Sequence, residues 1–561
     1  MMRYVDAVSA SIWVETRHAA SGVVHAGNRS WTARTFAVHG HHYALVPVDG
    51  LEPGTVTPYT VQVGGAEVWP AADSVYPASV ITTLAPAAPM RLSFGSCRTS
   101  VPHDRQGNRT HGVDALRAYA LQMAEDAGSG SWPDLMLFLG DQVYADMTSE
   151  AMQEFIRARR DVREPPGTEL ADFEEYAHLY NLAWSDETNR WLLSTVPIAM
   201  IFDDHDVRDD WNASLSWKRK MEATSWWHGR IVAGLASYWV YQHLGNLSPG
   251  ERAGDAVWQA IAVHDGDEEL DVSAMLDEFA ERCDRDPTSY RWSYCHDFGG
   301  DRLIGLDSRA ARELDPRRRA LVNEEETAWF DERMQGGFRH LVVATSLPYL
   351  LPPGLHHLEA WNEAISEGAW GRVAARGGER LRQALDLEHW AAFQRSFRRV
   401  AAIATDVADG NRGAAPQTVT FLSGDVHYSY VSEVQRTSGS RIIQAVCSPI
   451  RNPLPILLRS FSAILSYGVS TRLSAMLSRS AGVAPPPFRW SAVMGPWFDN
   501  CLATLTDTPE GLRLSWTSGV VDGGEPRHPT ITERAAITMA PRIRGLGEAT
   551  TGHSHELGSE A

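Results

Sequence analysis

Lysine is almost missing from this 561-residue chain: only Lys218 and Lys220 occur, and arginine carries the rest of the basic charge. Acidic side chains number 70 against 51 basic ones, a formal net charge of -19. That balance argues against nucleic acid or an anionic membrane as the main partner. It leaves room for a small anionic substrate, because bound cations reverse the sign locally. Cysteine is scarce as well. Cys97, Cys283, Cys295, Cys447 and Cys501 are odd in number, widely spaced and form no CxxC, which speaks against a disulfide framework or a zinc ribbon. The opening Met1-Met2-Arg3-Tyr4-Val5-Asp6 has neither an apolar segment nor twin arginines. Apolar runs stop well short of membrane-spanning length. The expectation is a cytoplasmic, soluble protein without stable membrane association or an obligate protein partner.

What is present divides the chain in two, as its length leads one to expect. Up to about Thr83 there are short alternating runs, such as Ser11-Ile12-Trp13-Val14-Glu15 and Tyr59-Thr60-Val61-Gln62-Val63, between Gly and Pro turns. This pattern predicts a small immunoglobulin- or fibronectin-like β-sandwich over residues 1–85. Residues 84–89 read as a linker. From Arg91 onward, apolar strands near 91–95, 134–139, 198–202, 302–306, 340–346 and 418–423 alternate with helical stretches at 112–126, 171–193, 215–243, 268–282, 323–335 and 376–403. That alternation predicts an α/β layered domain over 91–544. Paired runs at 430–435 and 442–447, then 502–505 and 512–516, predict antiparallel strands. A surface helix is expected at 454–477 and a disordered tail at 545–561.

Three of the strands end alike. Asp134-Leu135-Met136-Leu137-Phe138-Leu139 runs into Gly140-Asp141-Gln142-Val143-Tyr144, Ile198-Ala199-Met200-Ile201-Phe202 into Asp203-Asp204-His205-Asp206, and Val419-Thr420-Phe421-Leu422-Ser423 into Gly424-Asp425-Val426-His427. A fourth, Arg91-Leu92-Ser93-Phe94-Gly95-Ser96, delivers Cys97. Open sheets place their chemistry at such C-terminal tips. Asp141, Asp204, Asp210, Asp425 and His427 offer carboxylates and an imidazole, Tyr144 a phenolate and Cys97 a thiolate. Carboxylates and phenolate suit hard cations, thiolate and imidazole suit iron or zinc, so the mixture implies at least two metal ions of different character. Singly, each residue has an ordinary reading: Gly-Asp after a strand marks a turn or a helix cap, a histidine is often just hydrogen-bonded, and a cysteine just buried. Four such tips together favour a metal-dependent hydrolase.

The motifs Phe94-Gly95-Ser96-Cys97, Gly140-Asp141-Gln142-Val143-Tyr144, Asp203-Asp204-His205-Asp206-Val207 with Asp209-Asp210-Trp211, and Ser423-Gly424-Asp425-Val426-His427 stand in the order found in the PhoD-like alkaline phosphatases of the calcineurin-like metallophosphatase superfamily, which the chain resembles. The resemblance implies a four-layer sandwich of two mixed β-sheets flanked by helices, behind the small N-terminal sandwich. It implies one Fe3+ with one or two Ca2+. Cys97, Tyr144 and His427 match iron ligands, Asp141 a bridging ligand, and Asp204, Asp425 and Asp210 ligands of the second metal. Asp209 and Asp210 stand where the family more often has asparagine. His205 matches the histidine that contacts phosphate and protonates the leaving oxygen. The implied activity is hydrolysis of small phosphomonoesters or phosphodiesters by a metal-bound hydroxide, with Arg98 and Arg208 as candidate substrate-binding groups. Rival readings are a phospholipase D-like phosphodiesterase, a metal-free thiol hydrolase using Cys97 and a histidine, and a calcium-stabilised binding protein without turnover.

Overall fold

The computed structural model describes residues 1–86, 88–128, 130–453 and 468–542. The expected surface helix at 454–477 lies outside them as far as 467, beyond which a helix spans Gly468–Ser480. The expected tail at 545–561 lies outside them altogether.

Residues 1–82 form two antiparallel sheets. One runs Met2–Val5, Ala10–Thr16, His41–Val48, Phe36–Val38; the other runs Arg29–Arg34, Ser21–Ala26, Val56–Val63, Ala66–Trp69, with Val80–Thr82 against Val56–Val63. Alternating residues point inward, so Ile12 and Val46 of the first sheet meet Val24, Tyr59, Val61 and Ile81 of the second. The unit is tied to the rest of the chain. A two-residue strand, Leu270–Asp271, extends the first sheet beside Phe36–Val38. The fully buried Arg3 guanidinium donates to the carbonyls of Tyr241 and Gln242 and to Asn246 Oδ1.

The remaining chain builds two mixed sheets. The six-stranded sheet has the order Ile198–Ile201, Leu135–Leu139, Arg91–Gly95, Leu502–Thr508, Gly511–Val520, Thr530–Met539, and its first three strands are parallel. In the seven-stranded sheet Asp301–Gly305, His340–Ala344, Thr418–Ser423 and Arg441–Val446 run parallel in the middle. The period-2 alternation of a strand decides which face meets which neighbour. Val342, Ala344, Leu422 and Ile443 join the core against the six-stranded sheet, together with Phe94, Phe138 and Met200. Leu341, Val343, Val419, Phe421 and Ile442 point the other way, onto Phe330 of the helix Glu324–Arg333 and Phe397, Val400 and Ala404 of the helix Gln394–Ala408. Helix Ala115–Glu125 covers the far side of the six-stranded sheet, and Glu187–Thr195 packs beside it and against Met2–Val5 and Val80–Thr82. The result is helix, sheet, sheet, helix. Among the described residues no helix is long and apolar enough to cross a membrane.

Three expected helices are broken. The stretch 171–193 divides at Asp186, whose carboxylate caps a new helix by accepting from Asn189 N. The stretch 215–243 divides between Glu222 and Trp227. The stretch 376–403 is interrupted after Ala384 by a turn through Asp386, whose φ of 47° no helix accommodates. The last break matters most, because it carries Glu388 and His389 toward the strand tips.

Candidate metal centre

Two glycines explain how the tips converge. A Cβ on Gly424 would lie 2.0 Å from Ser96 Oγ, and one on Gly140, itself at φ 98°, would lie 2.6 Å from Asp203 Cβ. Only glycine lets these loops close up, so the Gly-Asp pairs are the sequence trace of strand tips converging at one end of two stacked sheets. Cross-links follow: Cys97 N donates to Gly140 O at 3.2 Å, and Asp425 N to Ser96 Oγ at 3.1 Å. Asp206 ties the loops underneath, accepting from Asp141 N and Asp203 N, both at 2.9 Å, and from Gln242 at 3.1 Å. It is a staple and not a ligand.

The backbone is strained where the chemistry sits. Cys97, Asp141, Asp210, Asp425 and His427 all hold positive φ, between 51° and 66°. Left-handed backbone at non-glycine residues persists only where the surroundings impose it, and it concentrates at functional sites.

Three donor sets come together, each with one ligand atom per residue within 4.8 Å of the others: Cys97, Asp141 and His427; Asp141, Asp204 and His205; Asp203, Asp204 and Asp425. Asp141 belongs to the first two and Asp204 to the last two. Tyr144 borders the first, its hydroxyl held by Asn452 Nδ2 at 2.9 Å and its ring 4.9 Å from that of His205. The sets differ in kind: thiol, phenol, imidazole and carboxylate in one, mainly carboxylate in the others. Asp203 was not among the expected ligands.

Whether cations fit is answered by groups that lack a partner. Asp141 Oδ1, Asp203 Oδ2 and Asp210 Oδ1 are buried without a hydrogen bond, which is expensive for a carboxylate unless a charge compensates it. Burial pushes the Asp141 carboxyl well above the usual range; Asp204, Asp203 and Asp206 push the same way and His205 against. Burial likewise raises the Cys97 thiol, reinforced by Asp141 and Asp425, and the Tyr144 hydroxyl, reinforced by Cys97 and Asp141. A bound cation reverses all of these shifts at once. The residues present fit metal ions.

The neighbours that orient this centre were mostly not legible beforehand. His205 Nδ1 meets both Asp146 oxygens, at 2.9 and 3.0 Å, and Asp146 also accepts from Asp209 N at 2.7 Å. Burial opposes ionisation of Asp146, but His205 outweighs it and holds the carboxyl down at about 2. His389 bridges Asp425 Oδ2 at 2.9 Å and Glu359 Oε1 at 2.7 Å. Arg309, fully buried, donates to Asp203 and Glu388 and stands 3.2 Å from Asp204.

The expectation that Arg98 and Arg208 bind substrate is corrected by their partners. Arg98 is buried against Asp114 Oδ2, at 2.8 and 3.1 Å, and the Ala183 carbonyl at 3.1 Å. Arg208 clasps Glu169 at 2.9 and 3.1 Å and covers the Trp226 ring. Arg98 follows Cys97 and Arg208 stands four residues after Asp204, but their side chains leave in other directions. Asp210 sits beside the centre, its amide donating to Asp204 Oδ2 at 3.0 Å, outside the three close sets. A cavity of about 400 Å³ opens over Asp141, Asp204, His205, His389, Asp425 and His427.

Fold and centre together define a two-sheet α/β protein whose strand tips converge on a candidate metal centre. A family model described as PhoD-like phosphatase matches residues 111–455, and a domain of unknown function (DUF7800) matches residues 1–81. The chain therefore belongs to the PhoD-like phosphatase family and is an enzyme, a phosphoric-ester hydrolase. The match contains Asp141, Tyr144, Asp204, His205, Asp425 and His427; Cys97 precedes it. A solved structure of PhoD shares the fold with a TM-score of 0.57 at 14% identity, over 96% of this chain and 89% of that one. The purple acid phosphatase PPD1 from yellow lupin (Lupinus luteus) seeds aligns with a TM-score of 0.46 at 11% identity, over 96% and 73%. Among curated proteins none matches.

Proposed function

We propose that this enzyme hydrolyses small phosphomonoesters or phosphodiesters at a centre of iron and calcium, with Cys97, Asp141, Tyr144 and His427 holding the iron and Asp141, Asp204 and Asp425 the calcium. One observation carries the reading: Asp141 is shared by two donor sets and keeps a buried, unpartnered oxygen. Cations bound there acidify a water and neutralise the charge that builds on the phosphoryl oxygens. In the reaction water adds to phosphorus, the ester P–O bond breaks, and the departing alcohol oxygen takes a proton.

His205 is the residue placed to give that proton. Asp146 fixes its Nδ1 side, which leaves Nε2 to carry the proton. His389, steadied by Glu359, orients Asp425 in the same manner. The alternative of a metal-free thiol hydrolase runs against the Cys97 environment. An activated cysteine has a lowered pKa, whereas burial and neighbouring carboxylates raise this one.

The test is release of nitrophenol from p-nitrophenyl phosphate and bis(p-nitrophenyl) phosphate, before and after metal removal and after iodoacetamide. The proposal expects turnover that disappears with the metals and returns with them. Turnover that survives metal removal and is abolished by iodoacetamide contradicts it.

A further inference from the structure

The walls of the cavity differ from its floor. The helix Pro353–Ser366 supplies Leu358, the turn after Arg372–Ala384 supplies Leu385 and Leu387, and Tyr428 closes the side nearest the Gly424-Asp425 tip. Leu385 is 42% exposed, apolar surface left at the mouth. Beside it stand Asp386, also exposed, and Asp209, whose side chain is 59% exposed. Among the described residues no lysine or arginine lines the cavity. Arg309, close by, lies fully buried and already bonded to Asp203 and Glu388.

These features divide the labour. Cations held by the floor carboxylates would neutralise a single phosphoryl group, and whatever is esterified to that group would meet leucines and two carboxylates. An apolar ester group gains burial there. A second anionic group meets Asp386 and Asp209 at the mouth, while the cationic side chains of the lining, His205 and His389, lie deeper and are already engaged by Asp146 and by Glu359 and Asp425.

Building on the phosphoester-hydrolase reading above, we propose that the cavity selects esters of apolar alcohols carrying no second negative charge, with Leu358 and Leu385 receiving the apolar group and Asp386 repelling anionic ones. Phosphoesters bearing further phosphates or carboxylates are then poor substrates. Such a site accepts a lone phosphoryl head on an apolar body.

The experiment compares phenyl phosphate, 4-butylphenyl phosphate and 4-carboxyphenyl phosphate on the metal-loaded full chain. The expected kcat/KM is about tenfold or more higher for the butyl ester than for phenyl phosphate, in keeping with added methylenes in an apolar pocket. For the carboxyl ester it is about tenfold or more lower, although the carboxylate makes the phenol a better leaving group. Asp386→Asn is expected to narrow the carboxyl gap severalfold while phenyl phosphate stays within about twofold; Leu385→Ala is expected to shrink the butyl advantage. Inhibition by inorganic phosphate, unchanged across the variants, shows the floor intact. Equal turnover of all three esters, or a carboxyl gap indifferent to Asp386→Asn, overturns this inference and leaves the hydrolase reading standing. Failure to hydrolyse any of the three overturns the monoester arm of the hydrolase reading, and this inference with it.

Discussion

Arg309→Met removes one charge and leaves an apolar stem, and the structure sets the size of the effect. The guanidinium is fully buried, donates to Asp203 and Glu388, and lies 3.2 Å from Asp204. Arg312 also reaches Glu388, at 3.1 Å, so that partner keeps a countercharge. Asp203 and Asp204 lose their nearest guanidinium. Breaking a buried ion pair from one side costs about 3–5 kcal/mol, because the remaining charge stays desolvated and uncompensated. The metal-free variant is therefore expected to lose about 3–5 kcal/mol in urea unfolding. Since Asp203, Asp204 and Asp425 form a cation-sized set, millimolar calcium is expected to restore part of the loss in the variant. A loss below about 1 kcal/mol, or no response to calcium, refutes the claim that Arg309 neutralises these carboxylates.

Three further outcomes follow from named contacts. Tyr144→Phe is expected to bleach the visible absorption of the iron-loaded protein, since a phenolate on an oxidised metal gives a charge-transfer band; a colourless wild type with stoichiometric iron refutes the Tyr144 assignment. His205→Ala is expected to lower kcat by about two to four orders of magnitude, and Asp146→Asn by about 10–100-fold, both less for nitrophenyl esters, which need little protonation; losses equal across leaving groups refute the acid role. Burial opposes ionisation of Asp114, yet Arg98, then His103 and Arg451, outweigh it and hold the carboxyl below the usual range. A depressed carboxyl stabilises the fold above its unfolded value near pH 4 and loses that contribution as pH falls further. Arg98→Met is therefore expected to cost about 3–5 kcal/mol at neutral pH and to flatten acid unfolding, with metal content unchanged; loss of metal instead restores Arg98 to the centre.

The strand tips were legible because two signals coincide there. Apolar runs mark the strands, and the glycines that let the sheets approach stand next to the residues that project between them, as with Gly140-Asp141 and Gly424-Asp425. The companions were hidden for physical reasons. Asp386 breaks a helical pattern that periodicity alone carries through to 403, so nothing announced that Glu388 and His389 turn toward Asp425. Arg309 follows an ordinary strand, and its role exists only once the second sheet is stacked on the first. Arg98 and Arg208 mislead in the opposite sense: they stand close to Cys97 and Asp204 in the chain, yet direction is set by Asp114 and Glu169, 16 and 39 residues away. Asp271 extends a sheet more than 200 positions upstream through a two-residue strand, too short to carry a pattern.

The central claim is that Asp141 joins two cation sites in one centre. Elemental analysis of wild type and Asp141→Asn tests it most directly. The account predicts at least two metal ions per chain in wild type, iron and calcium among them, and loss of both kinds in the variant, because one carboxylate serves both. A variant that keeps its full complement, or a wild type that binds none, contradicts it.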